Sequence, residues 1–183
     1  MSKENADKEQ KRSFKREAFS WIACIVVTIL LTEFILNFVI INANIPSGSM
    51  ENTIMTNDKL IALRTSYWFN DPKRGDIIIF KYPDDETEWF IKRVIALPGE
   101  TVLVKDGKVY INGSKKALSE PYIKEEPVED FGPYKVPKSG YFVMGDNRNN
   151  SNDAREWETH YVSRDEVLGK AWFRYYPSIK VIK

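Results

Sequence analysis

The feature that most constrains this chain is an apolar run from Ala18 to Ile41, 24 residues that carry a single charge, Glu33. At 1.5 Å rise per residue such a length spans the roughly 30 Å hydrocarbon layer of a membrane. A cleaved leader would have a shorter apolar core, about 7–15 residues, and small residues before its cut. Here Ile41 would stand at position −3 of a cut after Ala43, a poor fit. The run therefore predicts a retained transmembrane anchor over 18–41. The stretch before it, 1–17, holds six basic residues (Lys3, Lys8, Lys11, Arg12, Lys15 and Arg16) and no apolar periodicity. It is expected to be a disordered or frayed basic tail. Because the basic residues precede the anchor, the tail is expected in the cytoplasm and the rest outside it, in a single-pass arrangement. Glu33 is a costly residue at such a place.

The anchor leaves residues 42–183, enough for one domain of ordinary size. Net charge is +1, from 27 basic and 26 acidic residues, and no basic cluster follows the tail. That balance argues against a nucleic-acid partner. The one cysteine, Cys24, lies inside the apolar run and the one histidine is His160. The chain therefore has no internal disulfide, and a zinc site built from cysteines or several imidazoles is excluded. No metal or organic cofactor is expected.

Beyond residue 58 the pattern is that of short strands. Lys59–Arg64 and Asp76–Lys81 flank a turn at Asp71–Gly75. Glu88–Leu97 is stopped by Pro98-Gly99. Thr101–Lys105 and Lys108–Ile111 flank Asp106-Gly107, a two-residue hairpin signal. Residues 112–139 carry four prolines and many charges and are expected to be an irregular excursion. Gly140–Met144 and Glu166–Tyr176 complete the set. The fold class expected is mainly β, behind one N-terminal transmembrane helix.

Just after the anchor comes Ile45-Pro46-Ser47-Gly48-Ser49-Met50. Pro46 and Gly48 favour a turn that can present the Ser49 hydroxyl. Read alone, it is better taken as an ordinary Ser/Gly linker. A serine nucleophile needs a base. His160 sits in a polar stretch and reads as a surface residue, and no Gly-x-Ser-x-Gly elbow exists. A neutral lysine can serve, since burial lowers a lysine pKa by several units. In Glu88–Ile95, strand alternation places Phe90, Lys92 and Val94 on one face. An edge-strand lysine pointing to water fits the same pattern.

Four segments now resemble, in order, those of the bacterial type I signal peptidases. They are Pro46–Met50, Arg74–Ile78, Lys92–Glu100, and Gly145-Asp146-Asn147-Arg148-Asn149-Asn150-Ser151-Asn152-Asp153-Ala154-Arg155. With the anchor they cover nearly the whole of 18–176. The resemblance implies a signal-peptidase-like β domain and a membrane-anchored Ser-Lys endopeptidase. Its substrates would be preprotein signal peptides, cut after small residues at −3 and −1 through an acyl-enzyme. Ser49 matches the nucleophile and Lys92 the general base. Ser47 matches an oxyanion donor beside the Ser49 N–H, and Ser151 the hydroxyl that orients the lysine. Asp153 with Arg155, and Asp146 with Arg93, match supporting ion pairs. Ile45, Pro46 and Ile91 match the walls of the substrate pockets. The short excursion and single anchor resemble the compact Gram-positive members, with membrane lipid as the surrounding partner. Asn52 departs from a frequent proline and Ala154 from a frequent serine. Two other readings stay open: an inactive anchored β domain that binds exported proteins, and a repressor-type Ser-Lys self-cleaving protease.

Overall fold

In a computed structural model the backbone is described for residues 3–182 and side chains from Phe14 onward. The chain divides into two compact units, 1–39 and 40–183.

The first unit is one helix, α1 (Lys3–Phe34), continued by a wider π-turn over Ile35–Val39. Its stretch 14–39 is long and apolar enough to cross a membrane. Two expectations are corrected here. The tail is helical from Lys3, because it is rich in Lys, Glu and Gln and free of Gly and Pro. The apolar run also does not stay helical to Ile41: Ile40–Asn44 form a strand, β1. A short apolar segment has no helical preference of its own, and strand partners decide it. Glu33 accepts a 3.0 Å bond from the Asn37 amide one turn later.

The second unit is mainly β. Its further strands are β2 (Lys59–Leu63), β3 (Ile77–Tyr82), β4 (Asp85–Ala96), β5 (Thr101–Lys105), β6 (Lys108–Ile111), β7 (Phe131–Lys135), β8 (Gly140–Met144), β9 (Val162–Ser163), β10 (Val167–Tyr176) and β11 (Lys180–Val181). A large antiparallel sheet runs β1-β2-β10-β3-β4-β8-β9, with β11 on β10. A small sheet runs β6-β5-β7. The hairpin expected at Asp106-Gly107 joins β5 to β6, with φ of 50° and 75° at its two central residues. β7 lies inside the excursion expected to be irregular. Its Gly132-Pro133 pair hides the strand pattern, and pairing with β5 supplies what local sequence does not.

Alternation on β3 and β4 divides the core between the two faces of the sheet. Ile78, Phe80 and Val94 are buried on one face, where the small sheet's Val102, Val104 and Val109 close over them together with Trp157 and Phe142. Ile77 and Ile79 are buried on the other, with Ile41, Ile45, Met50 and Ile54. The chain around residue 49 is therefore anchored by Ile45, Met50 and Ile54 in the second cluster, while the side chain of Lys92 points into the first.

Candidate active site

Lys92 lies within β4 between Phe90 and Val94, opposite Ile78 of β3. It is 4% exposed, so it is not the water-facing edge lysine that its pattern also allowed. Its Nζ is 2.8 Å from Ser49 Oγ and 5.2 Å from the centre of the Phe90 ring. Ser49 itself is buried at 7% exposure. Removal from water disfavours the charged amine and pushes the Lys92 pKa down to about 8, against the pull of Asp153 and Asp146. A serine hydroxyl thus shares a dry site with an amine that is partly neutral near physiological pH.

The turn carrying Ser49 is held by its own backbone and by the loop after β8. Asn147 does most of this: its N–H donates to the Ser49 carbonyl and its side-chain amide to the Gly48 carbonyl, both at 3.0 Å. Ser47 is exposed, and its hydroxyl stands 3.5 Å from Ser49 Oγ. Gly145 lies between the two halves of the site. A Cβ there would collide with the Ser49 carbonyl and the Ser151 side chain, so only glycine fits.

The two expected ion pairs form. Arg93 grips Asp146 through Nε and Nη2 at 2.8 and 2.7 Å, with side chains 2% and 0% exposed. A third Arg93 bond reaches the Gly75 carbonyl at 2.8 Å. Asp153 takes Arg155 at 2.9 Å and also accepts the Gly145 N–H at 2.9 Å. Desolvated pairs of this kind fix geometry more than they stabilise. Ser151 is brought to the same place and is buried, but its hydroxyl makes no hydrogen bond. The lysine-orienting bond implied for it is therefore not formed in this structure. His160 is half-buried, not on the surface. Its Nδ1 is 2.8 Å from the Ala154 carbonyl, and its ring packs on Phe131 and Tyr134.

A cavity of about 500 Å³ opens beside the pair. Ile45, Pro46 and Ile91 line it, and so do Glu88, Trp89, Phe90, Asn150 and Asn152. One of its walls is an unpaired strand edge. β8 pairs with β4 only from Arg93 onward, so among the described strands nothing covers that side of β4 before Arg93. Such an edge accepts an extended peptide through backbone hydrogen bonds. Among the described residues, no cluster of three His, Cys, Asp or Glu side chains could hold a metal ion.

Sequence reasoning missed Asn147, Arg148 and Glu120. Asn147 and Arg148 lie within the Gly145–Arg155 motif, where the motif's order alone gives no partner. Arg148 is fully buried and forked onto Glu120 at 3.0 and 2.6 Å. A buried arginine needs a carboxylate, but the choice among the acidic residues of the excursion is tertiary.

The model of the family "Signal peptidase, peptidase S26" matches residues 18–176. A probable signal peptidase I-2 of Synechocystis is 44% identical over 161 residues, covering 85% of this chain and 72% of its own length. A signal peptidase I of Bacillus licheniformis is 35% identical over 185 residues, covering 96% of this chain and 97% of its own. Among solved structures, a signal peptidase I of Enterococcus faecalis is 36% identical with a TM-score of 0.48, over 55% of this chain and 97% of that one. With its one apolar N-terminal helix and its β unit, the chain belongs to the S26 signal peptidase family.

Proposed function

We propose that this serine endopeptidase removes signal peptides from exported preproteins with Ser49 as nucleophile and Lys92 as general base. The observation that carries the reading is the 2.8 Å approach of a buried lysine amine to a serine hydroxyl. Neutral Lys92 takes the Ser49 proton as Oγ bonds to the scissile carbonyl carbon. The oxyanion is met by the Ser49 N–H and the Ser47 hydroxyl; one such donor is worth roughly 2.7–4 kcal/mol. Lys92 then passes its proton to the leaving amine as the peptide bond breaks, and an acyl-enzyme remains. Water attacks the ester, Lys92 accepting its proton and returning one to Ser49.

The substrate segment lies extended along the open edge of β4, facing Ile45–Ser49 across the groove. Close apolar walls at Ile45, Pro46 and Ile91 favour small side chains at −3 and −1. The helix and the family fit a membrane-anchored protein. The finer arrangement proposed is a cytoplasmic basic tail, one crossing within 14–39, and the β unit outside with lipid beside it. Cleavage of a synthetic signal-peptide substrate by the full chain in detergent tests the reading. Turnover that persists in Ser49→Ala would overturn it.

A further inference from the structure

Residues 120–124 lie in the excursion, outside both sheets and outside all four motifs. Yet this short strap is tied to the turn that follows Ser49, to β4 and to the loop after β8. Glu120 holds the buried Arg148. The N–H of Lys124 reaches the Asp146 carbonyl at 3.0 Å. The side-chain amide of Asn52, three residues after Ser49, donates to the carbonyls of Tyr122 and Ile123 at 2.9 and 3.3 Å. The Tyr122 ring covers Arg93, whose guanidinium carbon is 3.9 Å from the ring centre. Asn52 has a φ of 88°, which asparagine tolerates and which proline, fixed near −65°, cannot adopt. Asn52 is thus one of the residues that fasten the strap.

We infer that Tyr122 is a positioning residue for the proton transfer: by capping Arg93 it holds Arg93 on Asp146, and so sets the potential that Lys92 meets. Two carboxylates act on Lys92, Asp146 and Asp153, and both come from the loop after β8. Each has its own arginine, Arg93 and Arg155. The other elements against Lys92 add little charge. β3 offers Ile78 across the strand pair. The nucleophile turn offers Ser49, and its Glu51 is engaged by Lys124 at 2.8 Å. Glu88, along β4, is exposed. Burial is the largest influence on Lys92 and the two carboxylates oppose it; how firmly their arginines hold them sets how strong that opposition is. An aromatic face over a guanidinium both attracts it and keeps water off it. Without the ring, Arg93 loosens from Asp146 and water enters. Both changes favour the protonated lysine, so a higher pH is needed to free the base.

The inference rests on Lys92 being the base. It is tested on the full chain in detergent, by kcat/KM against pH with a signal-peptide substrate. Tyr122→Leu is expected to move the acid limb upward by about 0.5–1 unit. Its kcat/KM then falls roughly 3–10-fold below the limb and recovers above it. Tyr122→Phe keeps the ring and leaves the limb in place. Asn52→Gly keeps the backbone path without the latch and moves the limb the same way, by less. A uniform loss at all pH values in Tyr122→Leu, with the limb unmoved, would make Tyr122 merely structural and end the inference. So would a Phe variant displaced as far as the Leu variant. If Tyr122→Leu does not fold, Asn52→Gly decides, and an unmoved limb there is equally fatal. Turnover that survives Ser49→Ala, or an unaltered protein with no acid limb, would instead remove the Ser-Lys reading, and the inference with it.

Discussion

Lys92 Nζ lies 2.8 Å from Ser49 Oγ across 43 positions of sequence, and neither residue is more than 7% exposed. The amine is therefore held beside its partner where water cannot easily stabilise its charge. Ser49→Ala and Lys92→Ala should each lower kcat by at least about 10²–10⁴-fold with unchanged circular dichroism. Lys92→Arg should be as inactive, since a guanidinium keeps its proton. Near-normal turnover in any of these folded variants would refute that residue's role.

The pH dependence has a fixed sign. Activity should rise through a limb near pH 8, where folded Lys92 loses its proton. His160→Ala should leave that limb in place, because His160 is engaged by the Ala154 carbonyl, Phe131 and Tyr134 and not by Ser49 or Lys92.

The same burial should cost stability. An unfolded lysine keeps its proton to about 10.5, the folded one only to about 8. Between those values the unfolded chain binds more protons, so stability rises with pH across the window, and below it the full cost is present. Lys92→Met should thus stabilise the β unit at pH 7 by up to about 3 kcal/mol, the linkage value for that gap. Urea denaturation at pH 7 and pH 10 checks it: the gain should shrink at the higher pH.

Asp146→Asn should leave Arg93 buried with its charge uncompensated. A loss of about 3–5 kcal/mol is expected for one broken buried pair. An unchanged urea midpoint would mean that water already reaches this pair.

Gly145→Ala should act on geometry. The added methyl meets the Ser49 carbonyl and Ser151, so the turn carrying Ser49 must shift. The expected reading is a fall in kcat of about 10²-fold, the usual scale for a 1 Å misplacement. A structure of the variant with Ser49 unmoved would contradict this.

Three consecutive aromatics, Tyr67, Trp68 and Phe69, differ in burial. Tyr67 is buried with its hydroxyl on Asp76, whereas Trp68 and Phe69 are 52% and 91% exposed. Trp68→Ser should weaken liposome binding of the isolated 40–183 unit at constant stability, since indole favours the headgroup level. Equal binding by both proteins would separate these aromatics from lipid.

What the sequence determined by itself was local or carried by residue order. The apolar run, the strands from Lys59 to Ile111, and the Asp106-Gly107 hairpin each rest on a pattern within a few residues. Ser49 and Lys92 were legible as a candidate nucleophile and a candidate base because their motifs keep the order of a known family. The tertiary structure decided the rest, because each point depends on partners far along the chain. Ile40 and Ile41 leave the helix because β2 offers a ladder to pair with. Phe131–Lys135 becomes a strand, despite its proline, because β5 is beside it. Alternation could place Lys92 on a face, but only the packing of Phe90, Trp157 and the loop after β8 could make that face dry. The strap of Glu120, Tyr122 and Lys124 is illegible locally, since a charged, proline-rich stretch has no periodicity to read. It is ordered by bonds to Arg148, Asn52, Arg93 and Asp146, and no pattern in sequence measures that proximity.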